Sequence, residues 1–525
     1  MNNVLLIISA VLLFGCAAVT ITRQLHFLQL NSYYNSRFFD YFKDEFNMIS
    51  VWSLLGAAII INLAIFDYAV LTLISTVIFS AIRIFYTVYK IKNAKKGIAF
   101  TARIKRFYLT AIVIFAIIML LCGFGIYSAK ACIFTANLVL LFSPFFVCLL
   151  NLINSPIEKS VKQYYINDAK KILKSMPNLK IIGLTGSYGK TSTKYILGRI
   201  LSEKYNTVIT PGSFNTPMGV VITVRNHLTP STEIFVVEMG AKKVGDIKEI
   251  CDLVHPTTGI ITSVGPQHLN TFGSIENVTK TKFELADEVK QNGGKVYLNV
   301  DNEYIAKKQG EYDSITYSIG GDGADIVATD VKCDKNGLKF TVSYKERKLN
   351  LTTSLLGSHN VLNIMSAVGI AIDLGLSDND IKYAVESLQA TEHRLQLKPL
   401  FNGALLIDDA YNANPSGCLE AMRVIGSFSP MKRIVVTPGL VELGEKEEEC
   451  NEALGLEASK NADVIILVGE KRSVPIKKGV LAGGFNEENL YIAKTFNDAV
   501  EIFRPMCDKN TVVIFENDLP DNYAK

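Results

Sequence analysis

Gly183-Leu184-Thr185-Gly186-Ser187-Tyr188-Gly189-Lys190-Thr191-Ser192-Thr193 is the stretch that decides how this chain is read. The apolar pair Ile181-Ile182 feeds a glycine-rich turn that opens into a helix-like segment. That arrangement makes a phosphate cradle. Glycine at 186 and 189 lets backbone N–H groups approach phosphate oxygens, the Lys190 ammonium reaches the outer phosphates, and the Thr191 hydroxyl, with Ser192 beside it, is placed to serve Mg²⁺. The spacing is GxxGxxGKT, whereas the ordinary phosphate loop needs glycine at 184, where this chain has Leu184. The departure points to one branch of phosphate-loop enzymes.

The 525 residues suffice for several domains, and an apolar share of 49% is high for a purely soluble chain. The excess lies at the front. Val4–Ile21, Met48–Ile65, Tyr68–Ile82, Phe107–Tyr127 and Ala131–Ile153 are nearly uncharged runs, read as about five transmembrane helices in an α-helical membrane region over 1–155. The third run is short and ends at Arg83, which would have to snorkel, so four or six spans are alternatives. Lys90, Lys92, Lys95, Lys96, Arg103, Lys105 and Arg106 crowd one loop, while the turns near Asp67 and Lys130 are nearly bare. The charge rule makes that loop cytoplasmic, with the N-terminus outside and everything after Ser155 in the cytosol. The expected localisation is therefore multi-pass in the plasma membrane, with the lipid bilayer as a partner and the catalytic domains cytoplasmic.

Leu13-Phe14-Gly15-Cys16 faintly resembles a lipoprotein cleavage box, but no basic residue precedes the run and apolar residues continue past Cys16. The nine cysteines are scattered without metal-like spacing, which argues against a disulfide framework or a zinc site. A net charge of +4, its basic part concentrated beside the apolar runs, speaks for anionic headgroups rather than nucleic acid.

From about Lys180, short Val/Ile-rich runs alternate with amphipathic stretches: Ile234–Val237, Gly259–Ser263, Lys295–Leu298, Leu405–Ile407, Ile434–Val436 and Val464–Val468. This is an α/β pattern with buried parallel strands. Between Ile315 and Leu356 the texture changes to alternating strands, which predicts a small antiparallel insert or edge, and a domain boundary is expected near Glu392–Pro399.

Several further constellations carry chemistry. Glu238 ends a buried strand and is followed by Met239-Gly240, the place where a phosphate-loop fold puts its Mg²⁺-handling acid; the plain alternative is an exposed strand-end carboxylate. His268 follows the next apolar strand and is either a second cation ligand or a solvated loop histidine. Thr279-Lys280-Thr281-Lys282 begins a helix-like stretch that, taken alone, reads as a solvated helix face. Gly357-Ser358-His359-Asn360-Val361-Leu362-Asn363, His393-Arg394 and Asp408-Asp409-Ala410-Tyr411-Asn412-Ala413-Asn414-Pro415-Ser416 follow. An Asp-Asp pair that ends a strand and precedes Tyr and two Asn is hard to explain by packing.

These residues, in this order, resemble the Mur ligases, most closely the branch that adds D-alanyl-D-alanine to the muramoyl tripeptide of peptidoglycan precursors. The resemblance runs from about Ile181 to the C-terminus. It implies a P-loop-type central ATPase domain, drawn at 156–391, and a C-terminal Rossmann-like domain, drawn at 392–525. It implies ATP and Mg²⁺ as cofactors, with Gly186, Gly189, Lys190, Thr191 and Ser192 around the phosphates and Thr191, Glu238 and His268 serving the cations. Lys282 matches the family's carbamylated lysine, with Lys280 the alternative register. The resemblance further gives Asn363 to the nucleotide, Arg394 to the γ-phosphate, and Asp409, Tyr411 and Asn412 to ATP from the closing domain. Asn215, in Gly212-Ser213-Phe214-Asn215-Thr216, matches the substrate-side loop. The implied reaction is amide bond formation through an acyl phosphate, joining D-Ala-D-Ala or a similar amine to a muramoyl peptide.

The chain departs from the family at its front, where about twenty residues separate Pro156 from the strand before the phosphate loop. The usual domain that grips UDP is absent there, which makes a lipid-linked acceptor, or another cell-envelope polymer, the alternative expectation. An ATPase-driven transporter and an inactive binding relative are the alternatives of another class.

Overall fold

The computed structural model describes residues 2–31, 33–36, 38–39, 48–66, 68–92, 97–123, 129–267, 269–321, 323–411, 414–441 and 443–518. The chain divides into two compact units, one ending at Tyr164 and the other beginning at Tyr165. The dividing point falls within the helix Ser143–Lys174.

The N-terminal unit is helical: Asn2–Leu30, Met48–Ile65, Ala69–Lys92, Ala102–Gly123, Ala129–Leu141 and the start of Ser143–Lys174. Its core is apolar, with Leu13, Cys16, Leu25, Phe107 and Ile133 fully enclosed. Among the described residues only Asn3–Leu30 and Ala69–Lys92 are long and apolar enough to cross a membrane, with a third if Ala129–Leu141 and Ser143–Lys174 count as one span. The expectation of five spans is corrected here. Hydropathy sums a run without seeing that the chain turns inside it, and the run Ala131–Ile153 contains a bend of 83° between those two helices. The basic loop read as a topology marker is partly engaged inside the unit, since Arg106 donates to both Glu158 oxygens at 2.6 and 2.9 Å and Arg103 lies 3.7 Å from the same carboxylate.

The second unit contains two sheets. The first has nine strands: β1 (Lys180–Thr185), β2 (Thr207–Ile209), β3 (Ile234–Glu238), β4 (Thr258–Ile261), β5 (Lys295–Asn299), β6 (Ser314–Ile319), β7 (Ile326–Asp334), β8 (Gly337–Tyr344) and β9 (Arg347–Thr353). They lie in the order β2-β3-β1-β4-β5-β6-β7-β8-β9, parallel as far as β7 and antiparallel through β8 and β9. The antiparallel edge lies within the stretch whose texture changed in the sequence. The parallel strands are apolar on both faces because helices cover both. Within β3, Ile234 and Val236 pack on one core and Phe235 and Val237 on the other, as the two-residue period of a strand requires.

The second sheet holds β10 (Gln396–Pro399), β11 (Leu405–Asp409), β12 (Lys432–Thr437), β13 (Val464–Val468), β14 (Leu490–Ala493) and β15 (Thr511–Glu516). Its order is β10-β11-β15-β12-β13-β14, with only the β10–β11 pair antiparallel. The strands β2, β10, β14 and β15 were not read from the sequence; β2 has only three residues, and β10 and β14 four each.

In the first sheet β1 lies between β3 and β4, and the connection leaving β1 runs toward β2 while that leaving the adjacent β4 runs the other way, toward β5. Such a switch point opens a crevice outside the strand ends, where open α/β sheets bind ligands. The second core anchors that region through Phe235, which is wholly buried. Phe235→Ala should lower unfolding stability by about 3–5 kcal/mol in denaturant titrations, because the cavity cannot fully collapse.

Candidate active site

The loop between β1 and the helix Lys190–Leu201 wraps the helix N-terminus. Gly189 caps the helix at φ 80°, a left-handed conformation, and a Cβ there would stand 2.7 Å from the Asn363 side-chain oxygen. Only glycine meets both conditions at once. The loop is tied to the turn after β4: the Ser187 N–H donates to the Ser263 carbonyl at 2.8 Å, and the Tyr188 N–H to the Ser263 hydroxyl at 2.8 Å. The Lys190 ammonium donates to the carbonyls of Gly186 (2.7 Å) and Ser187 (3.1 Å). Ser192 is half-buried in the first helical turn.

Glu238, at the carboxyl end of β3, is buried and joins three segments. Its Oε1 accepts from the Thr191 hydroxyl at 3.2 Å and from the Asn215 amide at 3.1 Å. Its Oε2 accepts from the Lys194 ammonium at 3.0 Å. The plain alternative of an exposed strand-end carboxylate is thereby excluded. Asn363, in the helix His359–Asp373, accepts from the Thr193 hydroxyl at 3.0 Å and donates to Asn360 at 3.0 Å, which fixes the helix beside the cradle.

The two lysines of the 279–282 segment separate cleanly. Both lie in the helix Ile275–Gln291, started by Ser274, whose hydroxyl accepts from the Asn277 N–H. Lys280 is exposed and Lys282 is buried. Burial, reinforced by the nearby Lys190 charge, holds the Lys282 amine well below the usual lysine range, against the opposing pull of Glu284 and Asp246. Burial also lowers Lys190 to about 8, with Glu238 opposing and Arg394 assisting the shift. Lys190, Glu238, Arg394 and Lys282 thus form one electrostatic neighbourhood.

Residues of the second sheet complete it. The Arg394 guanidinium lies over the Tyr411 ring, 5.2 Å from its centre, and the Tyr411 hydroxyl is 3.3 Å from that of Ser213, on the loop that carries Asn215. Burial raises the Asp409 carboxyl, while the Arg394 charge opposes the shift, and its Oδ1 accepts from the Leu395 N–H at 3.1 Å. Asp408 points elsewhere, paired with His393 at 2.8 Å and Lys398 at 2.7 Å. Glu420 accepts from both the N–H and the hydroxyl of Ser358, each at 2.6 Å, at the start of the helix His359–Asp373.

His268 and Asn412 lie outside the described residues. Among the described residues no group of three or more His, Cys, Asp and Glu side chains converges as a metal cage. What does converge, the Thr191 hydroxyl and the Glu238 carboxylate, is a hard oxygen pair. That fits Mg²⁺, which takes few protein ligands and completes its shell with water and phosphate oxygens. Lys194 was missed in the sequence reading, although its position four residues after Lys190 puts both on one helical face.

Comparison with known proteins follows this geometry. The family model for the Mur ligase middle domain matches residues 184–371, and that for the Mur ligase glutamate ligase domain matches residues 393–516. The UDP-N-acetylmuramoyl-tripeptide–D-alanyl-D-alanine ligase of Escherichia coli (strain K12) is 30% identical over 332 residues, covering 61% of this chain and 73% of the relative. The enzyme of the same name from Bacillus subtilis (strain 168) is 28% identical over 338 residues, covering 64% and 72%. A crystal structure of MurF from Acinetobacter baumannii superposes with a TM-score of 0.61 at 25% identity, covering 69% of this chain and 78% of that one. The MurF ligase of Thermotoga maritima, solved in complex with ADP, shares the fold with a TM-score of 0.60 at 24% identity, covering 69% and 81%. The chain belongs to the Mur ligase family, whose members are ATP-dependent ligases that join an acid to an amine. The multi-pass plasma-membrane localisation expected from the sequence does not stand: among the described residues two helices, or three if the bent pair counts as one span, are long and apolar enough to span, and the kinship is to ligases named for a UDP-linked acceptor.

The lowered Lys190 sets a pH dependence. Phosphate favours its charged form, so nucleotide affinity should hold below pH 8 and fall above it, by at most about tenfold per pH unit. Fold stability moves the other way: between about 8 and the usual 10.5 the unfolded chain binds more protons, so this group adds stability as pH rises. Calorimetric ADP titrations on either side of pH 8 should show the decline in the wild type and not in Lys190→Met.

Proposed function

We propose that this chain joins the terminal carboxylate of a UDP-linked muramoyl tripeptide to the amine of D-Ala-D-Ala, using ATP. The observation that carries the reading is the buried Glu238 carboxylate, which takes the Thr191 hydroxyl on the same oxygen as the Asn215 amide. One carboxylate therefore links the phosphate loop to the loop that matches the family's substrate side. The relatives' names supply the substrates: they print a UDP-linked acceptor, which favours it over a lipid-linked one. We assign residues 156–391 to the central domain and 392–525 to the C-terminal domain, with 1–155 preceding them.

In this reading the substrate carboxylate attacks the γ-phosphorus, the bond to the β-phosphate oxygen breaks, and ADP leaves. The amine nitrogen then attacks the acyl carbon of the acyl phosphate. Collapse of the tetrahedral intermediate expels phosphate, and the amine loses its proton. The protein contributes position and charge rather than a nucleophile. Backbone N–H groups of 186–189 and the Lys190 ammonium hold the phosphates, Arg394 neutralises charge on the transferring group, and Asn363, Asp409, Tyr411 and Asn412 orient the nucleotide. Thr191, Glu238 and His268 would hold Mg²⁺, which withdraws charge from the phosphate oxygens when bound. A carbamate on Lys282 would add a negative oxygen donor for the cation. Its formation needs a neutral amine, and burial makes the Lys282 amine neutral more readily than the exposed Lys280.

Purified full-length chain, given ATP, Mg²⁺, UDP-muramoyl tripeptide and D-Ala-D-Ala, should release ADP and yield the extended peptide by mass spectrometry. Lys190→Ala should reduce turnover by roughly 10²–10³ or more, in line with loss of one preorganised charge at the transferring group. Near-normal turnover in that variant would refute the assignment. Lys282→Ala should lose ligation and regain part of it in acetate, which occupies the vacated space, while Lys280→Ala should stay within about 0.5 kcal/mol of wild-type stability and keep its activity. The reverse pattern would move the carbamate to Lys280.

A further inference from the structure

Lys194 takes no part in the chemistry above, yet it is one of the most completely buried lysines a protein can hold. Its side chain is 0% exposed, and that of its partner Glu238 is 1% exposed. The ammonium donates to Glu238 Oε2 at 3.0 Å and to the Gly212 carbonyl at 2.5 Å. A buried lysine is unfavourable unless it is paired and hydrogen-bonded. Here the pairing joins two different loops. A lysine suits the task because its ammonium has three donors on a flexible stem and can satisfy a carboxylate and a carbonyl together.

The segment 210–216 is bound to Glu238 at further points. The Thr210 hydroxyl accepts from the Glu238 N–H at 3.1 Å, and the Asn215 amide donates to Oε1 at 3.1 Å. The Gly240 N–H donates to the Asn215 carbonyl at 2.7 Å, and a Cβ on Gly240 would come within 2.7 Å of the Asn215 side chain. Glu238 Oε1 thus takes Thr191 and Asn215, while Oε2 takes Lys194, whose ammonium also holds the Gly212 carbonyl. A turn of the carboxylate alters the hydrogen bond from Lys194, the same ammonium that holds the Gly212 carbonyl.

We propose that Lys194 is a positioning residue that couples the 210–216 loop to the cation-handling carboxylate, so that a nucleotide bound with its divalent cation orders the acceptor-side loop. This rests on the nucleotide-binding reading given above. Coupling between two sites is reciprocal, so an ordered acceptor loop also strengthens binding of the cation–nucleotide pair. The route runs through the carboxylate. The nucleotide alone therefore does not engage it, and the nucleotide with its cation does.

Hydrogen exchange of the full-length chain tests this without any acceptor. The probes are ADP with Mg²⁺ and ADP with EDTA, each at a concentration shown by calorimetry to saturate the protein. In the wild type, ADP with Mg²⁺ should slow exchange across 212–216 by about tenfold, within the usual range of coupling between sites. ADP with EDTA should leave it unchanged. Lys194→Met should still bind ADP with Mg²⁺, while the slowing at 212–216 falls below about twofold. A lysine serving packing alone would loosen the loop equally with and without ligand, leaving the ligand-induced ratio intact. A variant that transmits the full tenfold change overturns the proposal, as does a wild type in which EDTA makes no difference. If Lys194→Met does not fold, Lys194→Gln, which can keep one of the two hydrogen bonds but not the charge, is measured in its place, and the same loss or retention of the ligand-induced slowing decides. A wild type that binds no nucleotide under either condition overturns the nucleotide-binding reading and this inference with it.

Discussion

Placing a carboxylate at the buried end of β3 is unfavourable unless its charge and lone pairs are matched, and much of the second unit is arranged around that requirement at Glu238. The match comes from three directions. Thr191 and Lys194 reach it from the helix that follows the phosphate loop, Asn215 from the loop after β2, and Thr210 braces its backbone. Removing any one of these leaves an interior charge short of a partner. The strand order β2-β3-β1 brings the contributing segments together at the carboxyl end of the sheet, so the topology and the electrostatics are one constraint seen at two scales.

The second sheet meets this cluster with groups of opposite character. Arg394 brings positive charge toward Lys190, and Asp409 offsets it from behind. Glu516, buried beside Asp409 and accepting from the Cys418 thiol at 2.8 Å, has its carboxyl pushed far above the usual range by burial and by the Asp409 charge. Two carboxyls close together in a dry setting disfavour carrying two charges, which is the direction of the shift at Glu516. Polar contacts such as Tyr411 with Ser213 and Glu420 with Ser358 join the segments around the two sheets, beside the apolar contact of Leu356 with the second sheet's core.

The helical N-terminal unit follows different physics. Its helices bury small and apolar side chains against one another, and Arg106 and Arg103 share the Glu158 carboxylate within it. Apolar runs in a sequence report that water is avoided. They do not report whether lipid or protein takes its place.

Much of the α/β unit was legible in the sequence because its signals are local. A glycine-rich turn before a lysine, strands apolar on both faces, and a carboxylate closing a strand can each be read within a few residues. Only the tertiary structure distinguished Lys280, which is exposed, from Lys282, which is buried, since two neighbouring lysines on a helix differ only in what packs over them. It alone separated Asp408, taken by His393 and Lys398, from Asp409, turned toward Arg394. It also brought in Lys194, whose role arises from contacts with Glu238 and Gly212, residues 44 and 18 positions away along the chain. Local pattern determined which chemistry the chain is equipped for. Long-range packing determined which of several chemically equivalent side chains is desolvated and paired, because burial and charge pairing depend on neighbours that no stretch of sequence contains.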